Sequence, residues 1–160
     1  MAPDDPNASL LAIDLGLRSG LAQYGTHGRL LSYRSTNFGS LPRFRKGVPG
    51  VLKALQPIGQ VVVEGDRALG DIWQKAARSH GSQFRWVSPE QWRGNLLLPR
   101  KQRSGALAKH EADVLARKII QWSGLKGPTS LKHDAAEAIL IGLWALLELG
   151  WLTHNPLEGL

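Results

Sequence analysis

The chain has 160 residues, with 20 lysines and arginines against 13 acidic residues and a formal net charge of +7. That length supports one domain with a real core and is too short for two full lobes. The 42% of apolar residues fits a globular protein, no run approaches the roughly 18 apolar residues of a membrane span, and the absence of cysteine excludes disulfides and cysteine-ligated zinc.

Residues 9–15 read as a buried strand that ends on Asp14. Residues 20–25 read as a second strand, Thr26-His27-Gly28 as a turn, and 29–36 as a third strand, together an antiparallel meander. Residues 40–56 form a basic, weakly helical segment that Pro42, Pro49 and Pro57 are expected to break. Val61-Val62-Val63-Glu64 is a β-branched run suited to a strand buried on both faces. A helix over 68–80 stops at Gly81, and 83–87 make a fifth strand. Ser88 then reads as an N-cap with Pro89 at the first helical position.

Leu98 to Gly105 reads as a basic loop. Residues 106–122 suit an amphipathic helix with Leu107, Val114, Leu115, Ile119 and Trp122 on one face. The nearly apolar stretch 132–149 is a last helix. Three strands, a helical segment, strand, helix, strand and helices imply an α/β protein: one five-stranded mixed sheet with helices on both faces. The core spans about 9–149, and both ends are read as loose.

The excess positive charge points to a polyanionic partner, because each phosphate neutralised releases a condensed counterion. An inert basic surface is the plainer alternative. The distribution favours the first: Arg85, Arg93, Arg100, Lys101, Arg103, Lys109, Arg117, Lys118, Lys126 and Lys132 are opposed between 85 and 132 only by Glu90, Glu111 and Asp113. Met1 to Ser9 lacks the basic and apolar regions of a secretory signal, so a cytoplasmic location is expected, on the nucleoid in a bacterial host.

Three places set carboxylates against apolar elements. Asp14 ends the first strand, where aspartate is disfavoured and its charge is hard to bury without a partner or a metal. Glu64 ends Val61-Val62-Val63. Asp134 and Glu137 open the last helix and, three residues apart, share a face. Each has a local alternative: a turn acceptor for Asp14, a strand-end cap or arginine partner for Glu64, the helix dipole for Asp134, and solvent for Glu137. Gathered together they would repel. Oxygen-preferring divalent cations relieve that repulsion, and two such ions can drive phosphodiester hydrolysis.

These motifs resemble those of the RuvC-like Holliday junction resolvases of the RNase H-like superfamily. Ile13-Asp14-Leu15-Gly16, with Gly20 downstream, resembles the family's Ile-Asp-Pro-Gly. Val63-Glu64 resembles its fourth-strand glutamate, and Asp134-Ala135-Ala136-Glu137-Ala138 its Asp-Ala-Ala-Asp-Ala. The segment from Val87 to Arg93, the Lys109 region and His133 are similar to the chloroplast and phage branches. Leu15 replaces the usual proline, and Glu137 the bacterial aspartate. The region after Glu64 aligns poorly with the aromatic junction-probing segment of bacterial members.

The resemblance implies an RNase H-like nuclease domain over residues 1–160 that resolves four-way DNA junctions. It implies a homodimer with two active sites, and leaves any branch-migration helicase unidentified. Asp14, Glu64, Asp134 and Glu137 would hold Mg2+ or Mn2+, two ions per site. Lys109 would stabilise charge at the scissile phosphate, and His133 would act as acid, base or weak ligand; a solvated lysine and an N-cap neighbour are the plainer readings. Arg93, Arg100, Lys101, Arg103, Lys109 and Lys132 would contact DNA, mostly through phosphates. His80 and His110 read as surface. Trp73 and Trp92 suit the core better than base stacking, and Trp86, Trp122, Trp144 and Trp151 read as core or subunit contacts. Arg34, Arg43, Arg45 and Lys46 form either a second phosphate track or a solvated edge. The alternatives are an RNA nuclease of YqgF type, a non-catalytic DNA-binding module, and, more remotely, a sugar kinase or actin-like ATPase, which needs a second phosphate loop that this chain does not show.

Overall fold

The computed structural model describes residues 8–97 and 105–159. Its strands are β1 (Ser9–Asp14), β2 (Arg18–Gly25), β3 (Leu30–Asn37), β4 (Ile58–Glu64) and β5 (Gln83–Trp86). Its helices are α1 (Leu41–Ala54), α2 (Arg67–Ser79), α3 (Pro89–Leu96), α4 (Gly105–Trp122) and α5 (His133–Glu148). The strands form one sheet in the order β3-β2-β1-β4-β5. β1 and β3 each pair antiparallel with β2, while β4 runs parallel to β1 and β5 parallel to β4. This is the five-stranded mixed α/β architecture expected from the order of elements.

Strand alternation divides the interior in two. Leu10, Ala12, Ala22, Tyr24 and Val62 face a layer built on α4 and α5, which also takes Trp92 of α3. Leu11, Ile13, Leu21, Val61 and Val63 face α1 and α2, with Phe44 and Trp73 at the centre. The α5 helix is buried continuously from Ala135 to Leu146, which explains its nearly apolar sequence. Gly142 lets it lie against the sheet, since a Cβ there would fall 2.4 Å from Tyr24 Cε2. The Tyr24 hydroxyl donates to the Ile139 carbonyl at 2.5 Å and ties β2 to the helix.

Two local expectations are corrected. The segment expected to be broken by prolines is one continuous helix, α1. Pro42 sits in its first turn, where a missing N–H is harmless. Pro49 lies inside it but is solvent-exposed, and Phe44, Val48 and Leu52, four residues apart, bury one face and hold the helix together. In α4 the buried residues are Glu111, Ala112, Ala116, Ile119 and Ile120; of the expected face Ile119 is buried and Leu115 and Trp122 pack against the core, while Leu107 and Val114 are exposed. Alanines let α4 approach the crowded α5 closely, and that outweighs the larger apolar side chains.

Candidate metal centre and nucleic-acid interface

Sheet register builds the site. Asp14 of β1 pairs with Glu64 of β4 on one side and with Gly20 of β2 on the other; Gly20 in turn pairs with Ser35 of β3. Ser35, Gly20, Asp14 and Glu64 therefore form one row across four strands. Their parity is that of Ala12, Ala22, Tyr33 and Val62, so the row faces α5.

The N-terminal turn of α5 lies over this row because Gly20 has no side chain. A Cβ at Gly20 would fall 1.9 Å from the Asp134 carbonyl oxygen. The close approach brings Glu137 to the two strand carboxylates, and ligand oxygens of Asp14, Glu64 and Glu137 lie within 4.8 Å of one another. Asp134 stands beside this trio. Its Oδ2 accepts from Ser35 Oγ at 2.8 Å and its Oδ1 from the Ala135 N–H at 2.7 Å. Nothing local in the sequence marks Ser35; its only signal is the register that sets it beside Gly20.

Burial and mutual repulsion outweigh the one nearby guanidinium here. Asp14 is pushed from 3.8 up to about 8, first by burial and then by the charges of Glu137, Glu64 and Asp134, against the opposing pull of Arg93. Burial and Glu137 also raise Glu64, while Arg93, a hydrogen bond with Asp14 and the Trp92 indole work the other way. Glu64 Oε2 and Trp92 Nε1 nevertheless have no hydrogen-bond partner of normal geometry, so the indole acts as a nearby dipole. Two side chains serve Glu137 through a single oxygen: Arg93 donates to Oε1 at 3.0 Å and His133 Nε2 lies 2.9 Å from it. Glu137 Oε2 is committed to neither.

This donor set fits a hard divalent cation. Three carboxylates converge from three elements, one forced to hold a proton near neutral pH and another carrying an orphaned buried oxygen. All-oxygen ligation of this kind suits Mg2+ or Mn2+.

The other expected site residues are distributed unevenly. Arg93, expected on DNA, is drawn into the carboxylate cluster, with its side chain 35% exposed. Lys109 on α4 and Lys132 at the N-cap of α5 are exposed, as are His80 and His110. Arg100, Lys101 and Arg103, with most of the basic loop, lie outside the described residues. Trp73 and Trp92 are fully buried core residues. Trp86, expected as core or a subunit contact, packs partly buried against the α1–α2 layer of the core and also borders a cleft of about 530 Å³ that opens beside Glu64.

No profile of a known protein family matches this sequence, and no curated protein matches it. The solved structure of T. thermophilus RuvC in complex with Holliday junction substrate matches at a TM-score of 0.64 and 21% identity, covering 90% of this chain and 96% of that one. The fold is RuvC-like. The five-stranded mixed sheet and its flanking helices are those of the RNase H-like class, as the strand and helix motifs implied. The catalytic core domain of BIV integrase is a remoter likeness, with a TM-score of 0.37 and 8% identity over 87% of this chain and 84% of that one. On the RuvC-like frame the carboxylates occupy the ends of the two central parallel strands and the start of the helix crossing them.

Proposed function

We propose that this protein is a metal-dependent, structure-selective endonuclease that resolves four-way DNA junctions by paired phosphodiester hydrolysis. The observation that carries the reading is the convergence of Asp14, Glu64 and Glu137, with ligand oxygens within 4.8 Å and Asp14 held up to about 8. Such a cluster is unfavourable in the bare protein and favourable around a cation. The RuvC-like fold and the +7 net charge support a DNA substrate.

Asp14, Glu64 and Glu137 would hold magnesium or manganese, with Asp134 completing a two-ion site. When bound, such ions supply Lewis acidity, which lowers the pKa of a water and offsets charge on the leaving oxygen. Ser35 fixes the Asp134 carboxylate. Arg93 and His133 both hold Glu137 Oε1 and so aim its other oxygen. His133 Nε2 can also take or return a proton at the edge of the site. Lys109 and Lys132, with Arg100, Lys101 and Arg103, would contact phosphates of the arms.

A homodimer belongs to the same proposal, because two sites related by a two-fold axis match the symmetry of a four-way junction. So does a cytoplasmic, nucleoid-associated place of action. The test is cleavage of a synthetic four-way junction in magnesium, with symmetric paired nicks as the expected product. Junctions left intact where DNA binding is seen would refute it. Preferential cutting of RNA hairpins would favour the YqgF-type alternative, and heat stability indifferent to magnesium would favour a non-catalytic DNA-binding module.

A further inference from the structure

The charge of Arg93 acts on all three converging carboxylates. It draws down Asp14 and Glu64 against their burial, and its guanidinium pairs directly with Glu137 Oε1 at 3.0 Å. The helix that carries it is short but firmly rooted. Ser88 Oγ accepts from the Gln91 N–H at 3.2 Å, and Gln91 Oε1 accepts from the Ser88 N–H at 2.9 Å, a capping box that closes the start of α3. Trp92, the next residue back, is fully buried in the layer built on α4 and α5. The backbone of Arg93 is thus fixed, while its long side chain is 35% exposed and borders solvent.

Crowding at Glu137 limits what else that buried carboxylate can hold. Oε1 faces Arg93 Nη2 and His133 Nε2 together. An ionised carboxylate offers about two lone-pair sites per oxygen, so Oε1 is filled while both neighbours stay. A guanidinium and a divalent cation on one buried carboxylate also repel each other strongly. Of the two neighbours, Arg93 is the one placed to leave. His133 sits one turn from Glu137 on the same helix, whereas Arg93 reaches across from α3. Its planar fork of donors matches two phosphate oxygens as well as it matches a carboxylate.

We propose that Arg93 is a catalytic residue that trades a carboxylate for a phosphate: it holds Glu137 in the metal-free protein and moves its guanidinium to the non-bridging oxygens of the scissile phosphodiester once metal ion and DNA are in place. Both partners are anions, so the exchange loses no ion pair. Before it, the guanidinium offsets repulsion among the carboxylates. After it, the same group stabilises charge gathering on the phosphoryl oxygens. No bond to Arg93 forms or breaks, and it keeps its protons throughout. This inference rests on the junction-resolvase reading.

The test separates metal affinity from the rate of cutting in Arg93→Gln and Arg93→Lys. Titration calorimetry measures Mn2+ binding to the DNA-free protein at pH 8, and single-turnover cleavage of a four-way junction is followed at saturating Mn2+. Arg93→Gln removes a charge that competes for Glu137, so it is expected to bind Mn2+ about threefold more tightly yet cut about a hundredfold more slowly. Arg93→Lys keeps the charge but not the fork. It is expected to match the wild type in Mn2+ affinity and to cut about tenfold more slowly, which guards against a lost fold being read as lost function. A residue that only positions Glu137 gives the opposite split, with weaker Mn2+ binding and cutting restored at saturating metal. That pattern, or wild-type cutting by Arg93→Gln, overturns the proposal. If the wild type cuts no junction, the resolvase reading fails instead, and the Mn2+ affinities by themselves decide whether Arg93 and the ion compete for Glu137.

Discussion

Replacing Asp14 with asparagine should make the metal-free protein more stable at pH 8. The Asp14 carboxyl is raised from 3.8 to about 8. In the unfolded chain it loses its proton near pH 4, so from there to pH 8 the folded state binds more protons than the unfolded one. Stability from this group therefore falls as pH rises through that window and levels off above 8. At about 1.4 kcal/mol per tenfold change, the ceiling is roughly 6 kcal/mol at pH 8. Partial exposure and sharing of the charge among three carboxylates reduce the expected effect to about 2 kcal/mol. Asparagine removes the charge, and its amide donates toward Glu64 much as the protonated acid does. For a chain of this length, about 2 kcal/mol corresponds to a gain of roughly 4–8 °C in Tm. At pH 5 the gain should shrink to about a third, because folded Asp14 already holds its proton there. Calorimetry of both proteins at the two pH values, with chelator present, measures this directly. An asparagine variant that melts at or below the wild-type temperature at pH 8 would refute the claim that these carboxylates repel one another.

Other substitutions probe the parts separately. Millimolar magnesium should stabilise the wild type at pH 8 by up to about 2.7 kcal/mol at a hundredfold excess over Kd, and so raise its Tm; Asp14→Asn should lose that shift along with junction cleavage, measured by scanning fluorimetry and a gel assay. Gly20→Ala places a methyl into the Asp134 carbonyl, so the start of α5 must move; we expect a loss of about 2 kcal/mol and of cleavage, with helical circular dichroism retained. Ser35→Ala removes the donor to Asp134 Oδ2; it should cost about 1 kcal/mol in urea titration and lower the cleavage rate without abolishing it.

The carboxylates were legible because each sits in a short apolar run where charge is out of place. Ile13-Asp14, Val63-Glu64 and the spacing of Asp134 from Glu137 need only local rules to stand out. Their grouping, by contrast, followed from resemblance and not from any residue spacing. Ser35 was invisible for the same reason: serine on a half-exposed strand is ordinary until register sets it beside Gly20. On α4 the expected face holds at Leu115, Ile119 and Trp122 but not at Leu107 and Val114, because side-chain size predicts contact whereas the closeness of α5 selects Ala112 and Ala116. Trp86 was assigned to the core or a subunit contact on residue type alone. The structure bears out the core half of that assignment, since Gly70 of α2 packs closely on the indole, and adds that the ring borders the cleft beside Glu64.

Sequence by itself determined the element order, the placing of Asp14 and Glu64 at the ends of apolar strands, and the basic charge. These depend on periodicity and composition, which act over a few residues. Tertiary structure alone decided which strands became neighbours. Pairing β1 with β4 in register sets Asp14 beside Glu64, and the bare backbone of Gly20 admits the turn that delivers Glu137. A one-residue slip would send either strand carboxylate to the opposite face, so the site exists only once long-range pairing has chosen its register.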